Sequence, residues 1–276
     1  DSYKGYTMIL KYGYAAWKPK FAYDYMTVTL GLQPTKYLEA VDGSFWGRRY
    51  VSQSTGDMNS YLSTADLGLT ISTNLGKQGL YGSAGLSVWN GTKYSDIVEK
   101  NKQKDFNPYI VFKPVPNNPD FDQTMLAAQF YSGTQNVAFD DTLKAGDYKH
   151  QIMSIGGKLA YSKTFDIGFD LNWNTLGQGE GEDDKKQSAL SGFGTLYLAQ
   201  LTGENSILRT LGLFGRIDIV DPNTAADDDG KNIIIVGVEC APVKGVAASI
   251  NFRTTDHQET DKASEKTVYL NTEFKF

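Results

Sequence analysis

Hydrophobic and polar residues alternate one by one along most of this chain, a period of two that belongs to strands with two unlike faces. Phe165, Ile167, Phe169, Leu171 and Trp173 interleave with Asp166, Gly168, Asp170, Asn172 and Asn174. Leu67, Leu69 and Ile71 stand against Asp66, Gly68, Thr70 and Ser72, and Val246, Ala248, Ile250 and Phe252 against Ser249, Asn251 and Arg253. Leu211, Leu213, Ile217 and Ile219 share one parity, with Thr210, Arg216 and Asp218 on the other. The pattern predicts thirteen strands, at 6–17, 25–33, 61–74, 80–90, 108–115, 123–132, 148–162, 164–176, 188–202, 207–220, 231–241, 245–255 and 265–276. Their lengths suit the ~9–11 residues a tilted strand needs to cross a bilayer. Ordinary globular strands are shorter, at ~5–6 residues. If the apolar face meets lipid and the polar face an aqueous lumen, both faces are explained.

The connections alternate as well. Short turns are expected at 76–79, 116–122, 162–164, 202–206 and 242–245, and long polar segments at 34–60, 91–107, 133–147, 177–187, 221–230 and 256–264. Membrane barrels have short turns on one side and longer loops on the other. A soluble sandwich has no reason for every second connection to be long. The expected fold is therefore all-β: one transmembrane, antiparallel, up-and-down barrel spanning 1–276. Closure of an antiparallel barrel needs an even strand number. That predicts fourteen strands, with twelve as the alternative, the missing one lying upstream of Asp1 or within 45–55.

Composition changes this picture little. The 276 residues include 28 Gly, 17 Tyr and 8 Pro, as suits close-packed strands and interfacial aromatic bands. Tyr12, Tyr14, Trp17, Phe21, Tyr23 and Tyr25, with Tyr161, Phe165 and Phe274, form a candidate aromatic girdle at the short-turn end. Trp89 and Tyr131 belong to the opposite interface or to the lumen. No run of ~18 apolar residues is present to make a membrane helix. A net charge of −5 argues against nucleic acid as a partner. The lone Cys240 falls on the lipid face and excludes an internal disulfide and Cys-built metal sites.

Two stretches carry a resemblance. The terminal strand, with Val268, Leu270, Phe274 and Phe276 on one parity, resembles the assembly signal of bacterial outer-membrane proteins. Leu30 to Thr35 (LGLQPT), Gly43 to Val51 (GSFWGRRYV) and Ser63 to Ser72 (STADLGLTIS) resemble a family of Gram-negative porin-like proteins. Those proteins carry a Gln-Pro strand end and a Trp-Gly-Arg-Tyr loop, and the match covers about forty residues. The resemblance implies an outer-membrane porin that passes small polar or ionic solutes by diffusion. It also implies lipid, lipopolysaccharide and the barrel-assembly machinery as partners, and a homotrimer as the common assembly.

Segment 34–60 is too long for a simple hairpin, and structureless loops of that length are usually functional. Folded inward, its Trp46, Arg48, Arg49 and Tyr50 would constrict the pore, and the two Arg lean it toward anions. The bland alternative is a loop packed on the rim. Parity assigns Lys11, Lys113, Lys158, Arg216 and Arg253 to the lumen, with Asp66, Asp166, Asp170, Asp218, Glu239 and Glu273. Near balance of sign also fits a wall that satisfies itself through cross-strand pairs.

Two other classes were weighed: a plugged barrel serving adhesion or assembly, and an outer-membrane hydrolase. His150 and Ser154 share a face but lie ~13 Å apart by strand rise, and His257 lies near Asp256 and Asp261. Neither makes a nucleophile–base pair, so the sequence predicts no enzyme and no catalytic residue. The acidic runs at 180–184 and 227–229 lack the ligand spacing of a calcium loop, so no metal and no cofactor are expected. A soluble β-sandwich comes last.

Overall fold

The computed structural model describes the chain apart from residues 1–8, 24, 96–97, 140–142, 163, 201–206, 260 and 276. Thirteen strands form one sheet in which each pairs with its neighbours in sequence. They are β1 (Gly13–Trp17), β2 (Met26–Pro34), β3 (Ala65–Asn74), β4 (Gly82–Trp89), β5 (Asp105–Phe112), β6 (Met125–Thr134) and β7 (Lys149–Tyr161). β8 (Phe165–Leu176), β9 (Lys185–Tyr197), β10 (Leu211–Asp221), β11 (Lys231–Val243), β12 (Val246–His257) and β13 (Glu265–Phe274) complete it. Every ladder is antiparallel. Two short helices, α1 (Lys36–Ala40) and α2 (Thr55–Met58), lie in the long connection between β2 and β3.

The expected strands are found within a few residues of their predicted bounds, with one exception. The strand expected at 6–17 is regular only over Gly13–Trp17, and part of it lies outside the described residues. The strand sought within 45–55 does not exist: a π-helical turn (Val41–Phe45), further turns and α2 occupy that stretch. Among the described residues no ladder joins β13 to β1. Short and long connections alternate from β1 to β9, but 198–210 is longer than 177–184 and 222–230 on either side of it, so the expected alternation fails there, and 113–124 also exceeds its expected turn. The reason is that β5 and β9 end earlier than predicted and β10 begins later. Phe276, the last residue of the assembly-signal resemblance, lies outside the described residues.

Burial follows the alternation. Ile167, Ile217, Ile219, Ile250, Leu270 and Val236 are exposed on the outer surface. Their strand neighbours Asp166, Asp170, Asp218 and Asn251 are buried on the inner one. A soluble protein would not leave so many Ile, Leu and Phe in water over one continuous surface. This is the apolar belt of a membrane barrel. All nine residues of the candidate girdle are exposed, whereas Trp89 and Tyr131 turn into the lumen and are buried. Tight pairing requires glycine where walls approach closely. A Cβ on Gly82, whose φ is +106°, would sit 2.0 Å from the Val111 carbonyl oxygen. Among the described residues no helix is long and apolar enough to cross a membrane.

Candidate functional site

Residues 35–64 leave the wall at the end of β2, cross the interior and return at the start of β3. The two ends are pinned together: Thr35 N–H donates to the Thr64 carbonyl at 3.0 Å, and Thr35 Oγ1 to the Ser63 carbonyl at 2.7 Å. Gln33, just before, fixes the exit by donating to the Gly68 carbonyl at 3.0 Å. Between these ends the segment contacts the inner faces of β8, β10 and β12.

The segment is held by groups that strand parity placed in the lumen. Asp170 on β8 accepts from Tyr37 at 2.7 Å and from Thr55 at 2.9 Å. Arg216 on β10 donates to the Gln53 carbonyl at 2.8 Å and Arg253 on β12 to the Val51 carbonyl at 2.8 Å. A peptide that pairs with no strand has orphan carbonyls, and buried ones must find donors. The wall arginines supply them. Asp218 in turn accepts from Arg216 at 2.7 Å, the same-strand contact that their spacing allows.

Beneath these polar ties lies an apolar core inside the barrel. Trp46 packs edge-on against Phe193 and Phe214, with ring centroids 5.8 and 5.9 Å away. Phe45, Tyr37, Leu38 and Val41 of the segment and Ile152, Ile233 and Ile235 of the wall join the same cluster. Burying such side chains contributes about 1.5–3 kcal/mol each. Gly156 on β7 makes room: a Cβ there would meet Tyr37 Oη at 2.9 Å and Phe45 Cε2 at 3.2 Å. Parity reading missed these inward apolar residues. The signal was the unbroken run Ile233-Ile234-Ile235-Val236, which marks a strand dry on both faces.

The candidate constriction residues do not form an anion filter. Arg48 is buried against Glu239 at 3.1 Å and Thr195 at 2.9 Å, and Tyr50 also donates to Glu239. Arg49 pairs with Asp42 and with Asp57, the latter at 2.6 Å. Burial pushes the Asp42 carboxyl up, against the pull of the Arg49 charge and the Ser54 amide. Of the remaining residues, Asp66 is buried and accepts from Thr92 at 3.0 Å, and Asp166 accepts from Tyr197 at 2.7 Å. Lys158 is half-buried on the inner face of β7. Lys113 lies one residue beyond the end of β5, in the following connection, and so outside the strand expected to hold it. Lys11 and Glu273 meet Arg49 and Asp42 at a small cleft on one side of the segment. At the long-connection end is a larger cavity of roughly 590 Å³, lined by Tyr61, Trp89, Tyr131, His150 and Asn174 among others.

No family model matches the chain, and no curated protein matches it. Solved structures do. "Outer-membrane expressed OmpT of Vibrio cholerae" is 13% identical, with a TM-score of 0.56 over 90% of this chain and 74% of that one. The in-vitro folded OmpT of Vibrio cholerae is 13% identical, with a TM-score of 0.58 over 93% and 77%. A trimer form of OmpT is 14% identical, with a TM-score of 0.54 over 90% and 74%. At this identity the likeness shows a shared fold: an antiparallel outer-membrane β-barrel of a Gram-negative bacterium. With the exposed apolar belt, it places this chain in the outer membrane.

Two expectations are corrected. The freely diffusing porin with a lean to anions does not stand: the likeness to OmpT shows a fold and brings no channel activity to this chain, the segment packs an apolar cluster against the inner face of the sheet, and both arginines are paired with carboxylates. The expectation that the chain is not an enzyme falls with it. The fold shared with OmpT leaves the barrel-enzyme alternative standing. The large cavity also holds a histidine, His150, beside Tyr131 and Asn174.

Proposed function

We propose that this chain is a plugged outer-membrane barrel, whose internal segment closes the enclosed lumen and whose long-connection end is presented to a ligand or partner in adhesion or assembly. The apolar cluster around Trp46 carries this reading. Water-filled pores are lined by mobile polar groups, whereas Trp46, Phe45, Phe193 and Phe214 pack together in one buried apolar cluster. The reading includes closure of the sheet to an even strand number, fourteen by the sequence count, because unpaired strand edges do not persist in hydrocarbon. It also takes the Gln-Pro strand end as the exit hinge of the plug, and Trp46, Arg48, Arg49 and Tyr50 as its lock. A homotrimer like the trimer form of OmpT, lipopolysaccharide contact and delivery by the assembly machinery belong to the same proposal. The test is electrical. The refolded chain in a planar bilayer is expected to give no conductance steps, and a variant with 36–63 replaced by a short turn is expected to give them. Stable steps from the intact chain would sink the plug.

A second reading, the outer-membrane hydrolase, rests on His150 in the cavity. Its ring lies 5.1 Å from that of Tyr131, whose hydroxyl is bonded to Asp105. Refolded protein would be assayed on chromogenic esters and peptides. Turnover lost in His150→Ala supports it, and no turnover at all removes it.

A further inference from the structure

The cavity of roughly 590 Å³ at the long-connection end, of which the hydrolase reading uses only His150, has a polar lining that deepens the reading of that end as ligand-presenting and rests on it. Its size is that of a small-molecule site. Its lining includes five side-chain amides: Asn59, Gln135, Asn136, Asn174 and Gln187. The only carboxylate among the lining residues is Asp66 and the only ammonium Lys93, so formal charge cancels. Asp66 is further occupied by Thr92 and by the Leu67 amide at 2.7 Å.

Two buried polar atoms on the described lining side chains, Trp89 Nε1 and Tyr61 Oη, have no hydrogen-bond partner, while His150 and Asn174 face each other. Trp89 Nε1 can only donate, while the Tyr61 hydroxyl both donates and accepts. Buried groups left unpaired cost about 1–3 kcal/mol each, and their gathering in one cavity calls for an occupant. A molecule with several hydroxyl groups, each able to give and to take, answers both.

We infer that this cavity binds an uncharged polyhydroxylated ligand, of mono- to disaccharide size. The site belongs to the wall and to the returning end of the inserted segment, so it holds whether or not the barrel conducts.

The full chain refolded in detergent micelles would be titrated with glucose and with maltose, and with gluconate and glucosamine as charged counterparts, reading tryptophan fluorescence. A saturable change is expected with the neutral sugars, and binding of the charged ones roughly ten-fold weaker. Asn174→Ala and Gln187→Ala should each weaken binding about five-fold or more, and Lys244→Ala, in the exposed β11–β12 turn at the other end, should leave it unchanged. Heat-modifiable gel migration verifies folding, and Tyr61→Phe serves where an amide variant fails to fold, again with weakened binding expected. The inference is overturned by the absence of saturation, by charged sugars binding as well as neutral ones, or by unchanged affinity in the folded variants. The conductance experiment reports on the plug separately.

Discussion

At the residue scale, single side chains on the wall decide whether the inserted segment stays docked. Asp170 is the clearest case, since it accepts from both Tyr37 and Thr55. Asp170→Ala strands two buried donors and should destabilise the docked segment by about 2–4 kcal/mol. The measurement is proteolysis between 36 and 63 in micelles, which should become rapid in the variant while the strands stay protected. Asp42 lies outside the spanning strands, and its carboxyl is raised by burial. A raised carboxylate binds its proton more tightly folded than unfolded, so its contribution is full below the unfolded value and is lost as pH rises through the folded one. Resistance of the segment to proteolysis should therefore increase on acidification through that window, and Asp42→Asn should flatten the dependence. A slope unchanged in Asp42→Asn would assign it to another group.

At the scale of elements, the strands were legible because lipid imposes one rule on every outward position. Ile167, Ile217 and Ile250 obey it without reference to any distant residue. The interior was legible only in part. Parity found Asp170, Arg216 and Arg253, but their partners, Tyr37, Gln53 and Val51, lie more than a hundred residues away, where periodicity says nothing. The sign balance of the lumen was read as cross-strand ladders or a selective pore. Instead, much of it serves a segment whose carbonyls need donors. The apolar core was written in β11, where Ile233 and Ile235 interrupt the polar face, and on β7, where Gly156 leaves a hollow. Filling that hollow is the matching test. Gly156→Val should displace Tyr37 and Phe45 and lower the melting temperature, whereas Gly215→Val, with no atom closer than 3.9 Å, should change it little.

For the whole molecule, the belt of exposed apolar side chains is the constraint that fixes the rest. A charge at its middle meets hydrocarbon. Ile217→Lys should cost about 2–4 kcal/mol of folding free energy in phospholipid vesicles. Refolding yield against denaturant would show it, and equal yields for variant and parent would refute the placement of β10 against lipid. The same belt explains why mean hydropathy misleads here: the outward half of each strand is greasy, the inward half and the connections are wet, and the average resembles that of a water-soluble chain.

The joint at Thr35 and Thr64 has an effect on how the sequence can vary. Because departure and return share one doorway, everything beyond it is an excursion from a hairpin whose pairing runs unbroken from Pro34 opposite Ala65 down to Met26 opposite Thr73. The cylinder's scaffolding is thus independent of its furniture: insertions, deletions or wholesale replacement of the contents need not shift a single rung outside.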